Sequence, residues 1–251
     1  RSDKGEQVAE CLRFFGMASV EVWESQSSQP LAAFRASTAY KNRIDQKNNA
    51  SIAAWLRQGE RRATEIACLP FDAVRFRRKL AELRALTNEA DPEIFVPKLA
   101  AICAEVGVAV VLEPAPKGCP ISGATRWLTP GKALLMLSAR HKTNDHLWFT
   151  FFHEAGHLLL HGSKLAFIEV EGELDGKFEE EANSFAADFL ISPQQASQLK
   201  ALPRTKNAVS LFAQQIGIAP GIVVGRMQKE DLLDWSYLNG LKISYRWNHG
   251  E

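Results

Sequence analysis

The feature that most constrains this sequence is a pair of histidines four residues apart inside an apolar segment. His153-Glu154-Ala155-Gly156-His157 lies within residues 147–161 (LWFTFFHEAGHLLLH), whose near-continuous apolar surface predicts a buried helix. Residues four apart share a helical face, so both imidazoles can reach one metal ion. The Glu154 carboxyl is then placed to take a proton from water. This H-E-x-x-H pattern predicts a hydrolytic zinc site, and the alternative is a buried His–Glu cluster without metal.

A catalytic zinc site needs a third protein ligand and keeps one position open. The predicted helix over residues 178–191 is the best source, because it begins with three consecutive glutamates. Its first glutamate, Glu179, shares a face with Asn183 and with the small residues Ala182 and Ala186, which allow close approach of another helix. Helical phase alone therefore predicts Glu179 as the third ligand. The two glutamates that follow project elsewhere and are expected to be solvated.

Three further residues are candidates for contact with the ligands or with the transition state. His161 lies one turn beyond His157 and is expected to support the ligands or to cap the helix, because three ligands on consecutive turns of a straight helix diverge. Asn183 shares its helical face with Glu179. Arg126, on the strand before the zinc helix, either steadies an oxyanion or is an ordinary surface arginine. Such an edge strand can align a peptide through main-chain hydrogen bonds.

Cys119 has an unusual setting in the loop just before that strand, Lys117-Gly118-Cys119-Pro120. A thiolate is an excellent zinc ligand. If the loop folds over the site, Cys119 would fill the open coordination position and exclude water. Oxidation, or a partner that moves the loop, would release this inhibition. The alternative is a plain loop cysteine.

The order of predicted elements indicates an α+β fold with a mainly helical N-terminal region. Apolar periodicity predicts helices and short strands, with a strand pair around the Thr-Pro-Gly turn at 129–131. The predicted helices cover 8–23, 50–66, 71–86, 93–105, 147–161 and 178–191, and the predicted strands cover 108–112, 124–128, 133–137 and 243–247. We predict a helical connector region at 1–90 and, at 91–251, a small sheet packed on the zinc helix and further helices.

Charge gives little support for a polyanionic partner, because 30 basic and 29 acidic residues leave a net charge of +1. A basic cluster at 75–79 is either a solvated helix face or a nucleic-acid contact. Residues 208–229 have a helix–turn–helix rhythm, but the second helix offers almost no polar side chain before Arg226. Base recognition needs such side chains, so we favour structural helix pairing there.

Neither export nor membrane insertion is expected. No stretch approaches the roughly 18 apolar residues that cross a bilayer, and no signal peptide is apparent at the start. The four cysteines show no paired spacing. Reduced thiols in a cytoplasmic protein without a membrane partner are therefore expected.

Residues 153–162 (HEAGHLLLHG) and 179–191 (EEEANSFAADFLI) together resemble the ImmA/IrrE family of bacterial metallopeptidases. The similarity extends over about residues 92–250 and includes GATRWL (123–128) and FAQQIGIAPGIVVGRMQ (212–228). It implies a minimal zincin fold with zinc on His153, His157 and Glu179 and with Glu154 as the base. Residues 1–90 resemble the helical connector of members that carry a fused helix–turn–helix domain.

The resemblance also implies a function. Family members act in the cytoplasm and inactivate a helix–turn–helix repressor, which induces prophage, mobile-element, defence or DNA-damage genes. We therefore expect a zinc endopeptidase with a narrow protein substrate, a repressor or an antitoxin, and with nucleic acid as a possible activating signal. One alternative is a zincin-fold binding module or toxin component without efficient proteolysis. Another is a DNA-linked sensor in which the basic N-terminal helix opens the site.

Overall fold

Helices precede a small sheet in the chain. The structure is a computed structural model that describes residues 3–26, 46–117, 119–138, 142–162 and 172–245. The helices before the sheet are α1 (Lys4–Phe15), α2 (Val20–Gln26), α3 (Gln46–Glu65), α4 (Ala73–Ala85) and α5 (Pro92–Ala104). Asp91 starts α5 by accepting a hydrogen bond from the Glu93 amide, and Pro92 fits the first turn, where no amide donor is needed.

The sheet has three strands in the order β1-β3-β2. These strands are β1 (Val108–Leu112), β2 (Gly123–Thr129) and β3 (Lys132–Leu137). The central β3 runs parallel to β1 and antiparallel to β2, with which it forms the predicted hairpin. In the described part of the chain β2 pairs only with β3, so it is an edge strand of this sheet.

The two faces of the sheet pack against different helices, because side chains alternate along a strand. One face is buried in the main core with the helix that carries His153 and contributes Val108, Val110, Ala133, Leu135 and Leu137. The other face is covered by Ile52, Trp55 and Leu56 of α3 and contributes Ala109, Val111, Ala124, Leu134 and Met136. The short strands thus separate two apolar clusters.

The chain after the sheet is helical. It consists of α6 (Asn144–Gly156), a π-helical turn (His157–His161), α7 (Gly172–Leu190), α8 (Pro193–Leu199), α9 (Lys206–Ile216) and α10 (Pro220–Lys229). The helix α7 begins six residues before the predicted start at 178. Ser192 caps α8 in a capping box with Gln195.

The helices α9 and α10 are bent by 110° relative to each other. Gly217 ends α9 in the left-handed conformation, at φ 76°. Residues 221–224 of α10 are buried, which agrees with helix pairing rather than DNA reading. No single helix in the described ranges is long and apolar enough to cross a membrane, and only this bent pair passes such a test when its two helices are taken together.

The end of the described chain returns to the start of α6. Ser244 forms an isolated antiparallel bridge with Thr143, and the Asn144 amide donates to the Ile243 carbonyl. The predicted strand at 243–247 is thus a short pairing, and its last two residues lie outside the described ranges.

The helix α4 contributes Phe76, Leu80 and Leu83 to the core that also contains α6. The proposed boundary at residue 90 stays a prediction.

Candidate metal centre

Two imidazoles and a carboxylate converge in the core. The Nε2 atoms of His153 and His157 are 3.1 Å apart. The Glu179 carboxylate lies 3.2 Å from His157 Nε2 through Oε1 and 3.4 Å from His153 Nε2 through Oε2. Ligands at about 2.0–2.1 Å from a tetrahedral ion are separated by about 3.3 Å, so the spacing fits one metal ion. This is the one such group of three His, Cys, Asp or Glu side chains in the described residues.

Helix packing brings these three side chains together as the sequence analysis expected. His153 and His157 lie one turn apart where α6 passes into the π-helical turn. The helix α7 packs along α6 through Ala182 and Ala186, which are buried and leave no bulk between the helices. Glu179 therefore points into the interface, one turn before Ala182 and Asn183.

The Glu179 carboxylate provides the negative charge of the cluster. Burial alone would raise its pKa, but hydrogen bonds and positive charge from His153 and His157 outweigh burial, and the pKa is lowered. Burial lowers the pKa of His157, which favours the neutral imidazole that binds metals. Two imidazole nitrogens and one carboxylate oxygen are a donor set of catalytic divalent-metal sites, so the residues fit a metal ion.

Glu154 is buried beside the cluster. Its Oε2 has no hydrogen-bond partner among the described residues, which is uncommon for a buried charged group. Burial raises the pKa of the Glu154 carboxyl to about 8, although the nearby His153 opposes this and Glu179 adds to it. A bound cation would favour the carboxylate form. The arrangement thus places a potential proton acceptor next to the cluster.

The Nδ1 atoms of His153 and His157, on the side of each ring away from the cluster, also have hydrogen-bond partners. His153 Nδ1 lies 3.0 Å from Asn183 Oδ1, and His157 Nδ1 lies 3.1 Å from His161 Nδ1. A proton on each ligand's Nδ1 leaves Nε2 with a lone pair toward the cluster. The predicted neighbours Asn183 and His161 are therefore in place. His161 contacts the side of His157 that faces away from the cluster.

One of the glutamates expected to be solvated has a different environment. The Glu181 carboxylate lies 3.0 Å from His161 Nε2 through Oε2. The Glu181 side chain is 42% exposed, and the sequence does not predict its additional contact because His161 lies in the π-helical turn His157–His161, whose spacing differs from that of an ordinary helix. The signal in the sequence is the third histidine of HEAGHLLLH, because a polar side chain in a buried helix needs a hydrogen-bond partner.

Two residues predicted near the metal site lie on the opposite side of the sheet. Arg126 pairs with Glu60 of α3, on the face of β2 opposite the metal cluster, so it is not a transition-state contact in this structure. Cys119 is buried among the apolar side chains of that same opposite face, with Ile52 and Trp55. Cys119 is therefore not part of the cluster of His153, His157 and Glu179 in this structure. A strand has two faces, and the sequence did not indicate which of them meets the metal-binding helix.

A small sheet over a helix with two convergent histidines, completed by a glutamate from a second helix, defines a zincin-like metallopeptidase domain. The profile of peptidase family M78, described as the IrrE N-terminal-like domain, matches residues 103–226. Residues 103–226 are thus a domain of this family, which confirms the resemblance to ImmA/IrrE proteins. No match to a curated protein or to a solved structure was found.

Proposed function

We propose that this protein is a zinc-dependent endopeptidase that cleaves a specific cytoplasmic protein. The observation that carries the proposal is the convergence of His153, His157 and Glu179 beside the buried Glu154 carboxyl. The substrate class, a helix–turn–helix repressor or an antitoxin, is proposed from the resemblance to ImmA/IrrE proteins. Its cleavage would induce stress, phage-defence or mobile-element genes.

The residues around the cluster support a hydrolytic mechanism. Zinc bound to His153, His157 and Glu179 would supply a Lewis acid that lowers the pKa of water and polarises a peptide carbonyl. Glu154 takes the proton of the attacking water on Oε2, the oxygen that has no hydrogen-bond partner among the described residues. It then delivers that proton to the leaving amine nitrogen. Asn183 and His161 keep the two imidazoles oriented throughout.

The position of β2 at the edge of the described sheet supports a peptide as substrate. An edge strand offers alternating amide and carbonyl groups to which an extended chain can add as a further strand. The first residue of β2, Gly123, lies directly beside Glu154. A peptide paired along β2 would therefore pass close to the proton acceptor.

Gly123→Ala should reduce cleavage by about 10²-fold while the bound metal is retained, because misplacing a catalytic group by about 1 Å costs that much. A Cβ at this position would lie 2.7 Å from Glu154 Oε1 and 2.5 Å from Thr150 Cγ2, so the carboxylate must move. Gly131→Ala is the matched control, since its Cβ would meet no atom closer than 4.0 Å. Wild-type rates in the Gly123→Ala variant would contradict the placement of the base.

Metal removal tests the proposed function itself. The protein is incubated with the helix–turn–helix protein encoded beside it, with and without a chelator, and fragments are identified by mass spectrometry. We expect zinc in the purified protein by elemental analysis, cleavage only with metal, and recovery when zinc is returned. A stable complex without fragments, with zinc present and under inducing conditions, would support the binding-module alternative.

We also propose nucleic acid as an activating signal. Arg75 and Arg78 are exposed on α4. The Arg77 guanidinium lies 5.4 Å above the ring of Phe185, which belongs to the same helix as Glu179. A phosphate backbone bound along α4 would thus act close to a metal-binding helix. Single-stranded DNA is therefore added in one arm of the cleavage assay, where a faster reaction is expected.

A further inference from the structure

A hydrogen-bonded chain leads from the metal cluster to the protein surface. It runs from His157 Nδ1 to His161 Nδ1 over 3.1 Å and from His161 Nε2 to Glu181 Oε2 over 3.0 Å. His161 is buried, with 1% of its side chain exposed, whereas the Glu181 side chain is 42% exposed. The chain thus joins a buried ligand to a carboxylate in contact with solvent.

Only one set of tautomers satisfies every link when His157 binds a metal. A neutral His157 that uses the Nε2 lone pair carries its proton on Nδ1 and donates it to His161. His161 must then accept on Nδ1 and carry its own proton on Nε2. That proton is donated to the Glu181 carboxylate, which only accepts. Each group therefore fixes the proton of the next.

The local structure holds this chain in place. The π-helical turn His157–His161 presents the third histidine to the back of the second, and such turns are frequent at functional sites. The ring of Phe178 packs on His161 with a centroid distance of 4.4 Å. Lys177 lies 3.8 Å from the other oxygen of Glu181 and forms an exposed ion pair with it.

We propose that Glu181 and His161 are positioning residues that hold His157 in its metal-binding tautomer and orientation. The proposal rests on the metal site of the proposed function, but not on its peptidase activity. The carboxylate at the end of the chain increases the donor strength of His157 through His161. Asn183 has the corresponding role for His153 with a neutral amide, so the two imidazoles are supported by different chemistry.

Zinc affinity, measured by competition with a chromogenic chelator, tests the proposal independently of cleavage. Glu181→Gln should weaken zinc binding by about 10-fold, and His161→Phe by about 10–100-fold, because both remove support for a ligand. Glu180→Gln is the matched control, since it removes the same charge from an exposed neighbour on the same helix and should leave the affinity unchanged. Circular dichroism of the metal-free variants verifies folding, and His161→Leu, which also lacks hydrogen-bonding groups, replaces His161→Phe if the latter misfolds.

A double variant separates positioning from a direct effect of charge. In the His161→Phe background, Glu181→Gln should cause no further loss, because the link between Glu181 and His157 is already broken. A second loss of similar size would mean that Glu181 acts on the metal directly and would overturn the proposal. Equal effects of Glu180→Gln and Glu181→Gln would also overturn it.

The tautomer of His161 provides a spectroscopic test. In the zinc-loaded protein, ¹⁵N-edited NMR of the histidine rings should find the proton of His161 on Nε2 and that of His157 on Nδ1. A His161 protonated on Nδ1 would contradict the chain. If the protein is an active peptidase but Glu181→Gln and His161→Phe bind zinc as tightly as the wild type, the positioning role is excluded and the peptidase function is not. If the affinities follow the predicted pattern but no cognate partner is cleaved, the peptidase function is excluded and the positioning role is not.

Discussion

Replacing Glu154 with Gln should leave zinc bound and reduce cleavage of a verified substrate by about 10²–10⁴-fold, the usual contribution of a general base. The amide has almost the same shape as the carboxyl group but accepts no proton from water at neutral pH. None of the three metal-binding side chains is altered. The cleavage rate is measured at saturating substrate, and the zinc content is measured by elemental analysis of the same sample.

Loss of activity through misfolding is distinguishable from loss of the base. Glu154 is buried, and its Oε2 has no partner among the described residues, so a neutral amide removes the cost of burying a charge. The metal-free Glu154→Gln protein should therefore melt no lower than the wild type. Glu180→Gln, an exposed glutamate on α7, is the control for charge and should retain full activity. Retained cleavage in Glu154→Gln would defeat the proposed mechanism.

The sequence predicted the parts of the fold and site that local periodicity controls. Helical spacing placed His153 and His157 on one face, and the phase of small residues on α7 brought Glu179 to the same point. The continuous apolar run at 108–112 and the turn at 129–131 likewise predicted the strands. These signals depend on residues a few positions apart, so one sequence is enough to interpret them.

The positions of the other candidate residues depend on packing between segments that are distant in sequence. The sequence makes Cys119 and Arg126 candidates for the metal site because they precede the metal-binding helix, yet α3 covers the face of the sheet on which they lie. The contact of Glu181 is not predicted because its partner His161 lies within the π-helical turn, which ordinary helical periodicity does not anticipate. Which sheet face a helix covers is decided by long-range burial, and local pattern leaves that choice open.

The metal-binding helix is held at its start by a buried polar network, which has consequences for stability. Lys242 Nζ lies 2.7 Å from Asp145 Oδ2 in the first turn of α6, and both side chains are buried. The same Nζ donates to Gln228 Oε1 of α10 at 2.7 Å. Gly225 makes room for this pair, since a Cβ there would lie 2.7 Å from Asp145 Oδ2. The C-terminal segment is thus joined to both helices through one ammonium group.

Lys242→Met should lower the free energy of unfolding by about 3–5 kcal/mol, because it leaves the Asp145 carboxylate buried without its cation. For a chain of this size that corresponds to a fall of about 10 °C or more in the thermal midpoint. Chemical denaturation monitored by circular dichroism measures the change. Lys229→Met, at the exposed end of α10, is the matched control and should stay within about 0.5 kcal/mol of the wild type.

The double variant Asp145→Asn with Lys242→Met should regain most of the stability lost in Lys242→Met alone. Most of that loss is the cost of a buried unpaired charge, and a neutral amide at position 145 removes this cost. The substitution leaves the start of α6 otherwise intact, because the neighbouring Asn144 side chain still accepts hydrogen bonds from the main-chain amides of Ile243 and of position 145. If the double variant is no more stable than Lys242→Met, the lysine acts through the packing of its alkyl chain rather than through its charge.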